Sequence, residues 1–229
     1  MPTKSNSTYG ESEHYLGQKG QDYFALQNPG KSFAAKIYEH KFLPYIKPED
    51  TVIDFGCGGG QLLARYNCKR KIGVDLNPMA RNFASTLGLE CYQYLNEIPD
   101  NIADVVISHH ALEHVEFPIG ALREIYRKLK PGGLLVLCVP IDNWRLQNTY
   151  DPKDHNHHLH TWTKQLLGNT LFEAGYEIAD IKYRVEGWTK KWTVFLYGRF
   201  PKWFFYFFSY LHGIATGTGR ELLAVAKKP

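Results

Sequence analysis

Residues 51–60 read Thr51-Val52-Ile53-Asp54-Phe55-Gly56-Cys57-Gly58-Gly59-Gly60, and their reading decides the fold. A short run rich in β-branched residues reads as a strand. It ends in an acid and passes at once into a glycine-dense turn. Glycine tolerates positive φ and lets backbone approach a ligand closely. Such a turn, opening a helix over 60–66, makes a cradle of nucleotide size. The next strand, over 71–76, ends in Val74-Asp75-Leu76, with Asp75 fifteen residues past Gly60. An acid placed there accepts hydrogen bonds from a ribose diol. Turn and acid together are far more specific than either alone.

Outward from this stretch the chain alternates. Further strands are expected over 89–93, 103–109 and 133–139, and helices over 78–87, 119–130 and 163–174. The runs Ala103-Asp-Val-Val-Ile-Ser and Gly133-Leu-Leu-Val-Leu-Cys-Val are apolar on both faces, the mark of interior parallel strands. Strand and helix taking turns predicts an α/β fold, a doubly wound, mostly parallel Rossmann-like sheet with helices on both faces. Upstream, Phe33, Ala34, Ile37, Tyr38 and Phe42 have helical spacing over 31–46, ending near Pro44 and Pro48. Downstream, 176–185 and 220–226 read as two last strands. The organisation expected is an N-terminal helical cap over 1–49 and one domain over 50–229, with an aromatic insertion at about 188–213.

At 229 residues and 44% apolar content, the chain is long enough for one core of good size. No opening apolar stretch reads as a signal peptide, and no run nears the ~20 apolar residues that span a bilayer. Cys57, Cys68, Cys91 and Cys138 form no CxxC pair. Free thiols in a reducing cytoplasm are the expectation. The net charge of +4 is uneven: from Trp188 onward seven cations face Glu221 alone, a local +6 that leaves −2 elsewhere. That basic part either attracts an anionic surface or is a solvated face.

Four segments, in order, resemble the class I S-adenosylmethionine-dependent methyltransferases: Val52-Ile-Asp-Phe-Gly-Cys-Gly-Gly-Gly, Ile72-Gly-Val-Asp-Leu-Asn-Pro, Asp104-Val-Val-Ile-Ser-His-His-Ala-Leu-Glu-His-Val and Leu129-Lys-Pro-Gly-Gly-Leu-Leu-Val-Leu. His158-Leu-His-Thr-Trp-Thr and Leu171-Phe-Glu-Ala-Gly-Tyr are similar to the ending of that family's small-molecule branch. The resemblance implies S-adenosylmethionine as cofactor. It places Asp54, Gly56 and Gly58 beside the methionine part, with Gln61 helping. Asp75 falls on the ribose, Leu76 against the adenine, and Ser108 and His109 toward the sulfonium. Many members carry an acid after the third strand. Here Gln93-Tyr94-Leu95 stands instead, so Tyr94 and Leu95 are expected at the adenine.

A sulfonium methyl needs mainly alignment with its acceptor and exclusion of water, which contribute roughly 7–11 kcal/mol in well-oriented systems. A base is needed only where the acceptor holds its proton near neutral pH. His109, His110 and His114 follow the fourth strand, and His155, His157, His158 and His160 follow the fifth. Both groups belong to the strand ends where ligands bind in such sheets. His110 is the first candidate base and His158 the second; the bland alternative is that these imidazoles cap turns or shape the wall. Glu113 is expected to orient one of them or to cap a turn. Pairs such as His157 with His160, or Asp154 with His158, also suggest a cation. Ligands contiguous in one loop seldom converge, however, and the resemblance requires no metal. Cys57 reads as a small residue between glycines rather than a nucleophile.

The segment 192–210 holds 11 aromatics in 19 positions. Pro201 starts a helix there that is aromatic nearly all round. It either lines an apolar acceptor pocket, pairs with a second copy, or lies on a membrane face. A lipid-linked acceptor and a peripheral membrane contact through 188–213 follow from the last reading. Tyr23 and Phe24 stand where a lid over the cofactor closes. The expected activity is methyl transfer to a small-molecule or lipid-linked acceptor, without nucleic acid. The rivals are a noncatalytic cofactor-binding module and an NAD-dependent oxidoreductase; for the latter Leu62 stands near the third glycine's place.

Overall fold

The computed structural model describes residues 9–10, 13–142, 149–152, 154, 156–187 and 190–229, without the side chains of 13, 26–32 and 190–194. His155, Trp188 and the first eight residues lie outside this set. Seven strands form one sheet: β1 (Thr51–Phe55), β2 (Arg70–Val74), β3 (Glu90–Tyr92), β4 (Ala103–His109), β5 (Leu129–Pro140), β6 (Glu177–Val185) and β7 (Arg220–Lys227). Their order is β3-β2-β1-β4-β5-β7-β6, and β7 alone runs antiparallel to its neighbours. The α/β, mostly parallel architecture is therefore as the alternation implies.

Apolar residues on both faces of β1 and β4 bury two cores. Ile53, Phe55 and Val106 pack with Leu122 and Ile125 of α3 (Pro118–Lys128) and Leu167 and Leu171 of α4 (Lys164–Glu173). Val52, Val105 and Ile107 face the other way, toward Phe42 of α1 (Gly17–Phe42) and Ala84 of α2 (Pro78–Thr86). The period-2 alternation of strand side chains sends neighbouring residues to opposite faces.

Two helix expectations change. The helix expected over 60–66 is only a turn, Leu63–Arg65. Gly60 has φ +74, which an α-helix start does not accommodate, and the chain must reach β2 within a few residues. No helix N-terminus therefore closes the glycine loop. The first helix is longer than the expected 31–46 and starts at Gly17 despite Pro29. Burial of Ala35, Ile37 and Phe42 holds its C-terminal half, and tertiary contacts override the weak local propensity.

Between β6 and β7 lie α5 (Lys190–Arg199) and α6 (Lys202–Thr216), the aromatic insertion. Phe205, Ser209 and Gly213 turn inward; the Ser209 hydroxyl donates to the Gly187 carbonyl at 2.9 Å and Tyr206 to that of Ile37 at 2.9 Å. Trp203, Phe207, Tyr210, Leu211 and Ile214 are exposed. The inward face packs against the domain, and α6 lines neither of the clefts described below. Among the described residues no helix is long and apolar enough to cross a membrane.

Candidate active site

The glycine loop is tied to the end of β2. Gly56 and Cys57 N–H groups donate to the Val74 carbonyl at 2.8 and 3.1 Å. Asp75 then fixes both sides of the cradle, accepting from the Gly58 N–H (Oδ2, 2.8 Å) and the Asn77 N–H (Oδ1, 2.8 Å). Arg81 donates to the carbonyls of Asp75 and Leu76 at 2.6 and 2.9 Å, which stiffens the turn into α2. At Gly56 the positive φ of 75° and the close approach of the Ala111 side chain to where a Cβ would stand both demand glycine. At Gly58 a Cβ would meet nothing within 4 Å, so this backbone borders open space.

That space is a cleft of about 1010 Å³ counted to its mouth, lined at the base by Phe55, Gly56, Gly58, Asp75 and Leu76, and on the β4 side by His109, His110 and His114. Tyr9, Tyr15, Tyr23 and Phe24 supply the wall from the N-terminal segment. Burial, and then the neighbouring Asp75, push the Asp54 carboxyl up to about 7. Asp75 is the acid on the cleft wall, and a carboxylate there suits a ribose diol and a cationic nucleoside better than a pyrophosphate.

Of the residues expected at the cofactor, Gly56, Gly58, Asp75, Leu76 and His109 line this cleft. Asp54, Gln61, Tyr94, Leu95 and Ser108 do not. Asp54 is buried on β1, and Gln61 folds back against Gly59. Leu95 is fully buried in the core. Ser108 is buried too, its hydroxyl donating to the Phe55 carbonyl at 3.0 Å. Tyr94 accepts from the Gln93 amide at 2.7 Å, and it is Gln93 that faces the cleft. Tyr9, Tyr15, Asn77 and Gln93 also line the cleft without standing in any of the quoted motif positions; the absence of an acid after β3 is the sequence signal for Gln93.

His110 stands where β4 ends, in the left-handed region with φ +53. A non-glycine residue there carries strain of the sort found at working sites. Its ring stacks on His109 at 4.2 Å between centroids, and its Nε2 lies 3.3 Å from Glu221 Oε2. Glu221 arrives because β7 is antiparallel: its first residues meet the last of β5, with Glu221 opposite Pro140. Beneath, the fully buried Lys41 ammonium pairs with Glu221 and, at 3.4 Å, with Glu186. Burial alone would raise the Glu221 carboxyl; Lys41 and the His110 hydrogen bond reverse this and hold it well below the ordinary range. His110 also lines a second cleft of about 870 Å³, with Tyr38, Asp142, Glu186, Arg220 and Glu221. One imidazole thus borders both clefts.

His158 lines neither cleft. Its Nδ1 lies 3.0 and 3.1 Å from the Asp142 carboxylate. Burial disfavours the imidazolium, but the Asp142 hydrogen bond and charge outweigh it and the His158 pKa is raised. His114 goes the other way, down to about 4, through burial and then the charge of His158. Glu113, with no exposed surface, is raised by burial. It caps nothing through its side chain. In the loop after β5, His157, His160 and Asp154 have other partners. His157 stacks on His14, His160 Nε2 donates to the Val115 carbonyl at 2.8 Å, and Asp154 accepts from the N–H groups of Asn156 and His157. Cys57 is buried, its thiol pushed well up by burial and by Asp75, and it does not line the cleft.

Comparison with known proteins agrees with this geometry. Phosphoethanolamine N-methyltransferase 3 of Arabidopsis thaliana is 29% identical over 163 residues, 63% of this chain and 32% of the plant protein. Ubiquinone biosynthesis O-methyltransferase of Ruegeria pomeroyi is 30% identical over 162 residues, 57% of this chain and 61% of that protein. The chain therefore spans about a third to three-fifths of the length of these relatives. Among solved structures, a SAM-dependent methyltransferase from Archaeoglobus fulgidus superposes with a TM-score of 0.63 at 21% identity, covering 90% of this chain and 99% of that one. A methyltransferase domain model matches residues 29–181, well over half the length. The chain belongs to that methyltransferase family, and its fold is the class I S-adenosylmethionine-dependent one.

Proposed function

We propose that this protein transfers a methyl group from S-adenosylmethionine to a small-molecule or lipid-linked acceptor. The observation that carries the reading is the placement of His110 at the border of two clefts, one floored by Gly58 and Asp75, the other open to an acceptor. The cofactor supplies a methyl already activated by positive sulfur. The chain's own residues then bind, shield and deprotonate. Asp75, which accepts from the Gly58 and Asn77 N–H groups, meets the ribose diol. Tyr9, Tyr23 and Phe24 exclude water. His110, oriented by Glu221, takes a proton from the acceptor through its other ring nitrogen.

Calorimetry with S-adenosylmethionine and its demethylated product tests the first half. One-to-one binding that Asp75→Ala abolishes is expected, and no heat with wild type overturns the reading. Demethylated cofactor released only in the presence of acceptor separates an enzyme from a binding module.

For the acceptor's source, the exposed Trp203, Phe207 and Tyr210 of α6 and the local +6 charge support a peripheral contact with an anionic cytoplasmic membrane face. An exposed aromatic face flanked by lysines suits a lipid interface better than a nucleic acid. Sedimentation with anionic vesicles is expected to bring down wild type but not Trp203→Ala/Phe207→Ala. Equal behaviour of the two, or a stable homodimer through α6 in solution, overturns the membrane reading.

A further inference from the structure

We propose that Glu113, His114 and His158 hold one divalent transition-metal ion at the margin of the cofactor cleft. Their ligand atoms lie within 4.8 Å of one another, and His114 lines the cleft. Glu113 has no exposed surface, and neither carboxylate oxygen has a hydrogen-bond partner among the described residues. A buried carboxylate left so is costly and calls for a partner.

The outer nitrogens are already engaged. His114 Nδ1 lies 2.7 Å from the Tyr15 hydroxyl, and His158 Nδ1 lies 3.0 Å from Asp142. Each ring therefore has Nε2 for a metal, and Asp142–His158 has the carboxylate–histidine arrangement that orients metal ligands. His114 Nε2 is 3.7 Å from Glu113 Oε1. Bonds of about 2.0–2.2 Å to a shared ion draw such atoms together with small side-chain rotations. The scaffold is built for it: the Glu113 carbonyl accepts from the N–H groups of Leu159 and His160 at 2.9 and 3.1 Å, clamping the loop with His158 onto the turn with Glu113.

Two imidazoles and a carboxylate with positions left open suit zinc, manganese or ferrous iron rather than magnesium or calcium. The other cluster of ligand-type residues, His109, His110, Cys138 and Glu221, already holds a cation, the Lys41 ammonium on Glu221. Its repulsion directs a metal to Glu113. What the ion does rests on the methyl-transfer reading. An acceptor hydroxyl taking an open position becomes more acidic and gives its proton to His110, which lines the same cleft as His114. Its oxygen pair forms the new O–CH₃ bond while the S–CH₃ electrons return to sulfur.

The test uses untagged full-length protein stripped with a chelator and titrated with zinc chloride, then with cobalt(II) read by visible absorption. One ion per chain is expected, with cobalt bands typical of nitrogen and oxygen ligands. Asp142→Asn is expected to weaken binding roughly 10–100-fold, and Glu113→Gln and His158→Ala by more, while Glu221→Gln leaves it unchanged. Circular dichroism and S-adenosylmethionine calorimetry on the same metal-free samples report folding and the cofactor site separately. Lost cofactor binding with retained metal would sink the methyl-transfer reading alone. Absence of saturable one-to-one binding in wild type, or equal affinity in Asp142→Asn and Glu113→Gln, overturns the metal site.

Discussion

The Gly58 N–H points at the Asp75 carboxylate, 2.8 Å away, so the loop after β1 and the acid after β2 are one structural unit before any ligand arrives. Asp75→Ala removes that bond together with the proposed ribose acceptors. Hydrogen bonds to charged groups contribute about 1.5–3 kcal/mol each. Cofactor affinity is therefore expected to fall by at least about 100-fold, read by calorimetry, with some loosening of the loop in the free protein.

Asp54 makes stability depend on pH. Its folded pKa of about 7 lies above the ordinary 3.8, so protonation favours the folded state. The stabilisation is complete below about pH 4 and is lost as pH rises through about 7. At about 1.4 kcal/mol per pKa unit, the change is on the order of a few kcal/mol. Urea titrations of ligand-free protein between pH 4 and 8 are expected to show this slope, and Asp54→Asn to flatten it. A slope unchanged in Asp54→Asn would place the titration elsewhere.

Lys41 joins α1 to the far edge of the sheet through Glu221 and Glu186. Lys41→Met leaves the buried Glu221 without its ammonium partner, a change that typically costs about 3–5 kcal/mol. Thermal melts are expected to show the loss, and adding Glu221→Gln to recover part of it.

His110→Ala removes the group shared by the two clefts. General-base catalysis contributes about 10²–10⁴-fold, so turnover is expected to drop by that order while cofactor affinity stays close to wild type. A parallel loss of affinity would make His110 a wall residue instead.

Tyr15, Tyr23 and Phe24 reach the cleft from the N-terminal segment, and the Asn77 side-chain amide donates to the Gly20 carbonyl at 2.6 Å. Hydrogen exchange over 15–25 is expected to slow when S-adenosylmethionine binds. Identical exchange with and without cofactor counts against a lid.

The glycine run at 56–60, the acids at 54 and 75 and the two-sided apolar strands were legible because local chemistry dictates them. Positive φ demands glycine, burial on two faces demands unbroken apolar runs, and the motifs sit in fixed chain order. The missing helix at 60–66 was less legible, since a glycine-rich turn leading to a helix and one leading straight to a strand have nearly the same composition. Leu95 and Ser108 looked like ligand contacts by position, yet they serve the core because alternation along a strand and the turn after β3 face them inward.

What the sequence determined by itself, then, was the parallel sheet and the glycine turn and acids at its edge, whose causes are local in the chain. The tertiary structure alone decided that Glu221 meets His110, that Lys41 lies beneath them and that Glu113 shares its burial with His114 and His158. Apart from the adjacent Glu113 and His114, these partners are 44 to 180 residues apart in the chain. Only the antiparallel return of β7, and the loop clamped onto the Glu113 carbonyl, bring their charges close enough to interact.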